Sequence, residues 1–183
     1  MMSLQNSDNE KQWFALRDLK RRNTLTPAYK LLSEEGIEVF TPMRWLLTTR
    51  AGRRVSREVP IMQDLLFAYD TRSRLDPIVD KTPTLQYRYK KGGKYCEPIV
   101  VPEDDMNRFI EAVKASENPR YYSAEELAEL KCGSRIRIVG GALNGQEGTL
   151  LSVRGSRTKH IVIELQNLMA ISVEIKNEYI QLA

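Results

Sequence analysis

The chain has 183 residues, room for one medium domain or two small ones. Hydrophobic residues make up 42% of it, enough for at least one packed core. The net charge of +4 is too mild to imply nucleic acid by itself, so the placement of charge matters more than its sum. Cys96, Cys132 and His160 fall short of the roughly four ligands of a structural zinc site, and the two cysteines lack metal-ligand spacing. They are expected to be reduced thiols, buried or half-buried. The amino terminus is polar and lacks the apolar core of a signal peptide. No stretch approaches the ~20 apolar residues that span a bilayer. A soluble, cytoplasmic protein with no metal, no cofactor and no membrane partner is expected.

Residues 1–11 are small, polar and without period, and read as a disordered tail. Residues 13–17 read as a short buried strand and residues 21–24 as loop. Thr26 before Pro27 is a helix start, a capping hydroxyl ahead of proline at the first helical position. Ala28, Leu31 and Leu32 follow at helical spacing, and Gly36 is placed to end that helix in a left-handed conformation. Residues 37–41 alternate as a strand stopped by Pro42. Residues 45–49 and 53–57 flank Ala51-Gly52 as a hairpin. Residues 65–69 form an apolar run suited to a central strand. A short helix is expected over 73–80, limited by Pro77. Residues 85–89 and 94–97 flank a Lys/Gly turn as a second hairpin.

The cleanest helix covers 103–115. Met106, Phe109, Ile110 and Val113 share one face. Glu103, Asp104 and Asp105 crowd its first turn, where the helix dipole favours negative charge. Residues 116–120 are linker-like, and Ser123 with Glu126 forms a capping-box pattern opening a short helix that ends near Leu130. Five short strands follow, over 135–139, 147–153, 160–165, 170–175 and 179–182, separated by Gly and Asn turns, the pattern of a small barrel. The expected organisation is an α+β chain: a tail over 1–11, a domain over 12–116 with an antiparallel sheet and flanking helices, a linker with a short helix over 117–131, and a small five-stranded, SH3-like β-barrel over 132–183.

Charge is concentrated in the first hairpin. Arg44, Arg50, Arg53, Arg54 and Arg57 fall in a segment, 44–57, that contains no acid, and Lys20, Arg21 and Arg22 form a second cluster. Basic side chains along a hairpin can contact phosphates without reading sequence. Trp45 among the arginines favours nucleic acid, since a base can stack on an indole. A merely solvated hairpin is the plain alternative. An enzyme is not expected: His160 has no recognisable nucleophile or carboxylate constellation beside it, and Lys91-Gly92-Gly93-Lys94 lacks the spacing of a phosphate loop.

Residues 133–150 run as a glycine, an alternating strand, a glycine-containing loop, then Gly145-x-x-Gly148 and another strand. They resemble the KOW module, with both glycines expected where positive φ would strain a side chain. The opening Trp13-Phe14-Ala15-Leu16, the strand ending at Pro42, the basic hairpin, the segment 60–67 and the segment 98–102 follow the order of the NusG amino-terminal domain. The chain thus resembles the NusG-like elongation factors over residues 12–183. Gln63-Asp64 stands where the family has Pro-Gly, Ala142-Leu143 where it has a Pro-Phe-like pair, and the stretch 71–97 is atypical. These departures resemble specialised paralogues of the Bacteroides UpxY type, which control capsular polysaccharide loci, with RfaH more distant.

The resemblance implies a non-enzymatic, monomeric transcription elongation and antitermination factor, promoting read-through of a specific long operon. Trp13, Phe14, Met62, Leu65 and Phe67 are then candidates to line or support a surface for the clamp helices of the largest RNA polymerase subunit, an aromatic and methionine patch suited to a helical partner. For Phe14 and Phe67, ordinary core on the sheet's inner face is the favoured reading; Met62, at a loop edge, fits the interface better. The basic residues would face DNA of the elongation complex. The KOW barrel would recruit a small-subunit ribosomal protein or Rho. The other class of function open to such a sequence is a ribosome- or RNA-binding KOW protein.

Overall fold

The computed structural model describes residues 9–19, 26–92, 95–117, 119–152, 157–176 and 179–183. Lys20, Arg21 and Arg22 lie outside these residues, as does most of the amino-terminal tail. Two compact units divide the chain, Met1–Pro102 and Glu103–Ala183. Their sheets are antiparallel throughout and carry few helices.

In the first unit β1 (Gln12–Asp18) is central. It pairs with β5 (Leu66–Asp70) on one edge; on the other it pairs with β6 (Leu85–Tyr87) near its end and β7 (Val100–Val101) near its start. β2 (Glu38–Phe40) extends the sheet beyond β5. Side chains alternate across a strand, so the pairing register assigns each to a face. Phe14 and Leu16 share a face with Ala68, Leu66, Tyr87 and Leu85. That face forms the core with Ala28 and Leu32 of α1 (Ala28–Glu34) and Leu75 of α2 (Arg72–Lys81).

Both helices begin differently from the sequence reading, or run further. The cap of α1 is Pro27, without a side-chain bond of its own. The first amide instead donates to the buried Asp18 carboxylate at 2.7 Å, so β1 caps the helix across the fold. Gly36 closes it at φ +72° as expected. Pro77 sits inside α2 and does not limit it. Proline removes one helical hydrogen bond, and here packing of Leu75, Ile78 and Val79 on the core carries the helix through. Among the described residues the second expected hairpin is reduced to a single bridge between Tyr89 and Pro98; residues 95–97 form no strand, Lys94 lies outside the described residues, and the next strand, β7, pairs with β1.

β3 (Met43–Arg50) and β4 (Arg53–Pro60) form a separate two-stranded sheet. Ala51 and Gly52 both have positive φ, 48° and 76°, as the tight hairpin turn requires.

The second unit opens with α3 (Glu103–Ala115). The sequence reading ends the first domain after this helix, whereas the compact units divide ahead of it. It packs on β11 (Lys159–Leu165) and β12 (Met169–Ile175), burying Met106, Phe109 and Ala112. The Gln146 amide also donates to the Arg108 carbonyl at 3.2 Å. The sheet adds β9 (Arg135–Val139), β10 (Glu147–Ser152), β13 (Tyr179–Leu182) and β8 (Arg120–Ser123), in the order β13-β9-β10-β11-β12-β8. Its sixth strand, β8, comes from the expected linker and pairs with β12. Ser123 then opens α4 (Ala124–Glu129) with both arms of the capping box formed.

Candidate functional site

The face of the first sheet opposite its helices is aromatic. The register aligns Trp13 with Tyr69, and Ala15 with Phe67, which pairs in turn with Phe40. Ring centroids are 5.2 Å apart for Trp13–Tyr69 and 6.4 Å for Phe40–Phe67, both within contact range for aromatic pairs. Trp13 and Phe67 are buried, while Phe40 and Tyr69 are half-buried. The cluster therefore has an inner part and an open margin.

The five residues expected to serve docking do not all gather there. Trp13 and Phe67 lie on the aromatic face. Phe14 points the other way, into the helix-covered core, with its ring 5.7 Å from that of Tyr87. Leu65 is buried just ahead of β5. Met62 is half-buried in the loop over 61–65. Phe40 and Tyr69, which sequence reasoning missed, belong to the cluster through pairings that neither residue's neighbours announce. Their place in alternating segments was the available signal.

The 61–65 loop is held from two sides. Ile61 donates its amide to the Pro42 carbonyl at 2.9 Å, and the Thr41 hydroxyl donates to the Leu65 carbonyl at 3.3 Å. From the other side, Nη2 of Arg88 donates to the Asp64 carboxylate at 2.8 Å and to the Asp64 carbonyl at 2.9 Å.

The basic hairpin has two chemically distinct faces. Register pairs place Arg44, Leu46 and Thr48 with Val59, Arg57 and Val55 on one face, and Arg53 follows on the same side. The other face carries Trp45, Leu47 and Thr49 with Glu58, Ser56 and Arg54. Trp45 is 70% exposed and Leu47 62%. Trp45 is thus set opposite Arg44, Arg53 and Arg57, with the acidic Glu58 as its cross-strand partner; Arg54 alone among the described arginines shares its face. Among the described residues none of Arg44, Arg53, Arg54 and Arg57 is in an ion pair. The backbone of Arg50 pairs with that of Arg53.

In the second unit the two glycines serve different needs. Gly145 has φ +83°, the left-handed conformation expected. Gly148 does not share it. It lies in β10, where a Cβ would stand 2.2 Å from the Val162 carbonyl oxygen and 2.8 Å from an Ile161 side-chain carbon. Close approach of β11, not a turn, requires glycine there.

Other titratable groups read as structural. The Tyr87 hydroxyl is pushed well above its usual 10.0, first by burial and then by its hydrogen bond to Asp76. Burial pushes the Cys132 thiol up, with the nearby Glu164 charge adding to it, which disfavours the reactive thiolate. Cys96, expected to be at least half-buried, is exposed in the turn at residues 95–96. His160 pairs across strands with Leu151 and Glu174. Among the described residues no group of three or more His, Cys, Asp or Glu side chains could hold a metal, and no helix is long and apolar enough to cross a membrane.

No protein-family model matches the chain. No curated protein matches it either. Among solved structures, one described as "Domain interaction in Thermotoga maritima NusG" is similar at 14% identity, covering 91% of this chain and 93% of that chain, with a TM-score of 0.44. A likeness this distant assigns no residue a role.

Proposed function

We propose that this chain is a NusG-like transcription elongation factor that docks on RNA polymerase through the open margin of its aromatic sheet face. The observation that carries this reading is the pairing, within one unit, of that aromatic face with a hairpin of exposed arginines free of ion pairs among the described residues. Phe40, Tyr69 and Met62 retain accessible surface and would touch an apolar helical partner, the polymerase clamp helices. Trp13, Phe67 and Leu65 back them from behind, and Phe14 supports the sheet from its core. Aromatic and methionine side chains bind by burying large apolar area and adapting to the partner's shape.

The hairpin arginines lie ready for phosphates of DNA in the elongation complex. A factor bound at both places holds the clamp closed, disfavours pausing and lets polymerase pass terminators. The departures at Gln63, Asp64 and 71–97 support a specialised role in the cytoplasm, read-through of one long operon such as a capsular polysaccharide locus. The second unit would recruit a small-subunit ribosomal protein or Rho. Affinity purification after nuclease treatment tests the reading. Recovery of polymerase is expected; recovery of ribosomal proteins without polymerase would favour an RNA- or ribosome-binding KOW protein instead.

A further inference from the structure

We propose that Arg88 is a positioning residue for docking: through Asp64 it fixes the 61–65 loop so that Met62 stands at the margin of the aromatic face. This rests on the docking reading above and adds to it the residue that sets the shape of the surface.

The register places Arg88 for this task. Its amide donates to the Ala15 carbonyl at 2.9 Å, which sets it in line with Ala15, Phe67 and Phe40. Gln86, two residues earlier, pairs with Arg17 on the same face as Ala15, so strand alternation brings the Arg88 side chain to that face as well. From there the guanidinium reaches across to the loop. One nitrogen holds both the carboxylate and the main-chain carbonyl of Asp64, fixing the backbone as well as the side chain. Thr41 and Pro42 hold the loop's two ends. Met62 and Gln63 lie between these anchors.

A plain surface ion pair would leave its members interchangeable and exposed. The Asp64 side chain is 66% exposed, but that of Arg88 only 29%. Its Nε is buried and has no partner among the described residues. A buried donor without an acceptor is costly, so selection for stability alone would favour an apolar side chain at this position. Holding the loop accounts for keeping the arginine.

Binding of the full chain to purified bacterial core RNA polymerase tests this, alongside the ¹³C-methyl NMR signal of Met62. Met62→Glu should abolish binding. Arg88→Met and Asp64→Asn should each weaken it by about tenfold, with the Met62 signal shifted or narrowed. The exchanged pair, Arg88→Asp with Asp64→Arg, should stay weak, because an aspartate at 88 has no donor for the main-chain carbonyl at 64; full recovery would reduce the contact to a plain ion pair and overturn the proposal. Wild-type affinity in both single variants would overturn the proposal while leaving the docking reading intact. Weaker binding with an unmoved Met62 signal would overturn it too, since Arg88 would then act elsewhere. If the wild-type chain itself fails to bind polymerase, the docking reading falls and this inference with it.

Discussion

The central sheet and the β3–β4 hairpin of the first unit are built from the same antiparallel pairing, yet their side chains answer to different constraints. In the sheet both faces are committed: one to the core under α1 and α2, the other to the aromatic cluster. In the hairpin nearly every described residue from Arg44 to Glu58 is exposed or half-buried, and large apolar groups such as Trp45 face water. A two-stranded sheet alone is marginal in water. Sheet positions are therefore expected to fix stability, and hairpin positions to act on binding with little effect on stability.

The largest effect should come from the sheet. Phe67→Ala removes a fully buried ring that packs on Phe40, and should destabilise by about 3–5 kcal/mol in denaturant unfolding. A loss as small as that of a surface substitution would show that the aromatic face is not packed as described. A comparable contrast exists inside the second unit. Gly148→Ala forces a methyl against the backbone of β11 and should cost about 1–3 kcal/mol or more, although φ at this position is not left-handed.

Tyr87 sharpens the comparison through pH. Its folded-state pKa lies above the unfolded value of 10.0, so its contribution is fully present below about pH 10 and is lost as pH rises beyond it. Stability should fall on the alkaline side, and Tyr87→Phe should flatten that part of the profile. An unchanged alkaline profile would contradict the burial and the Asp76 hydrogen bond as causes.

The hairpin should respond in the opposite sense. Arg44→Ala, Arg53→Ala and Arg57→Ala together should change stability by no more than about 0.5 kcal/mol per site. They should weaken DNA binding, and the slope of log affinity against log salt should become shallower by roughly 0.9 for each phosphate that is no longer neutralised. Arg54→Ala, on the Trp45 face, should do less. Equal effects from the two faces would dissolve the distinction between them.

How much of this was legible in the sequence follows the range of the interactions. The Ala51-Gly52 turn, the Gly36 helix end and the Ser123–Glu126 capping box depend on neighbours and could be read directly. The strand β8 could not, because Arg120–Ser123 is a strand only through pairing with β12, far along the chain. Asp18 as the cap of α1, and Gly148 as a point of close approach, are likewise contacts between distant segments. The separation of Trp45 from Arg44, Arg53 and Arg57 was readable in part: adjacent residues of a strand face opposite ways, so Arg44 and Trp45 had to part. Which β4 residues joined each of them awaited the register. The Arg88–Asp64 clasp left no local trace, since the two residues are joined only by the fold.

The central claim is tested most directly by equilibrium binding to purified core RNA polymerase, free of nucleic acid, by the wild-type chain, Met62→Glu and the triple variant of Arg44, Arg53 and Arg57 to alanine. The account predicts that the wild-type and the arginine variant bind alike and that Met62→Glu does not bind while remaining folded by circular dichroism. Normal polymerase binding by folded Met62→Glu, or loss of binding confined to the arginine variant, would contradict it.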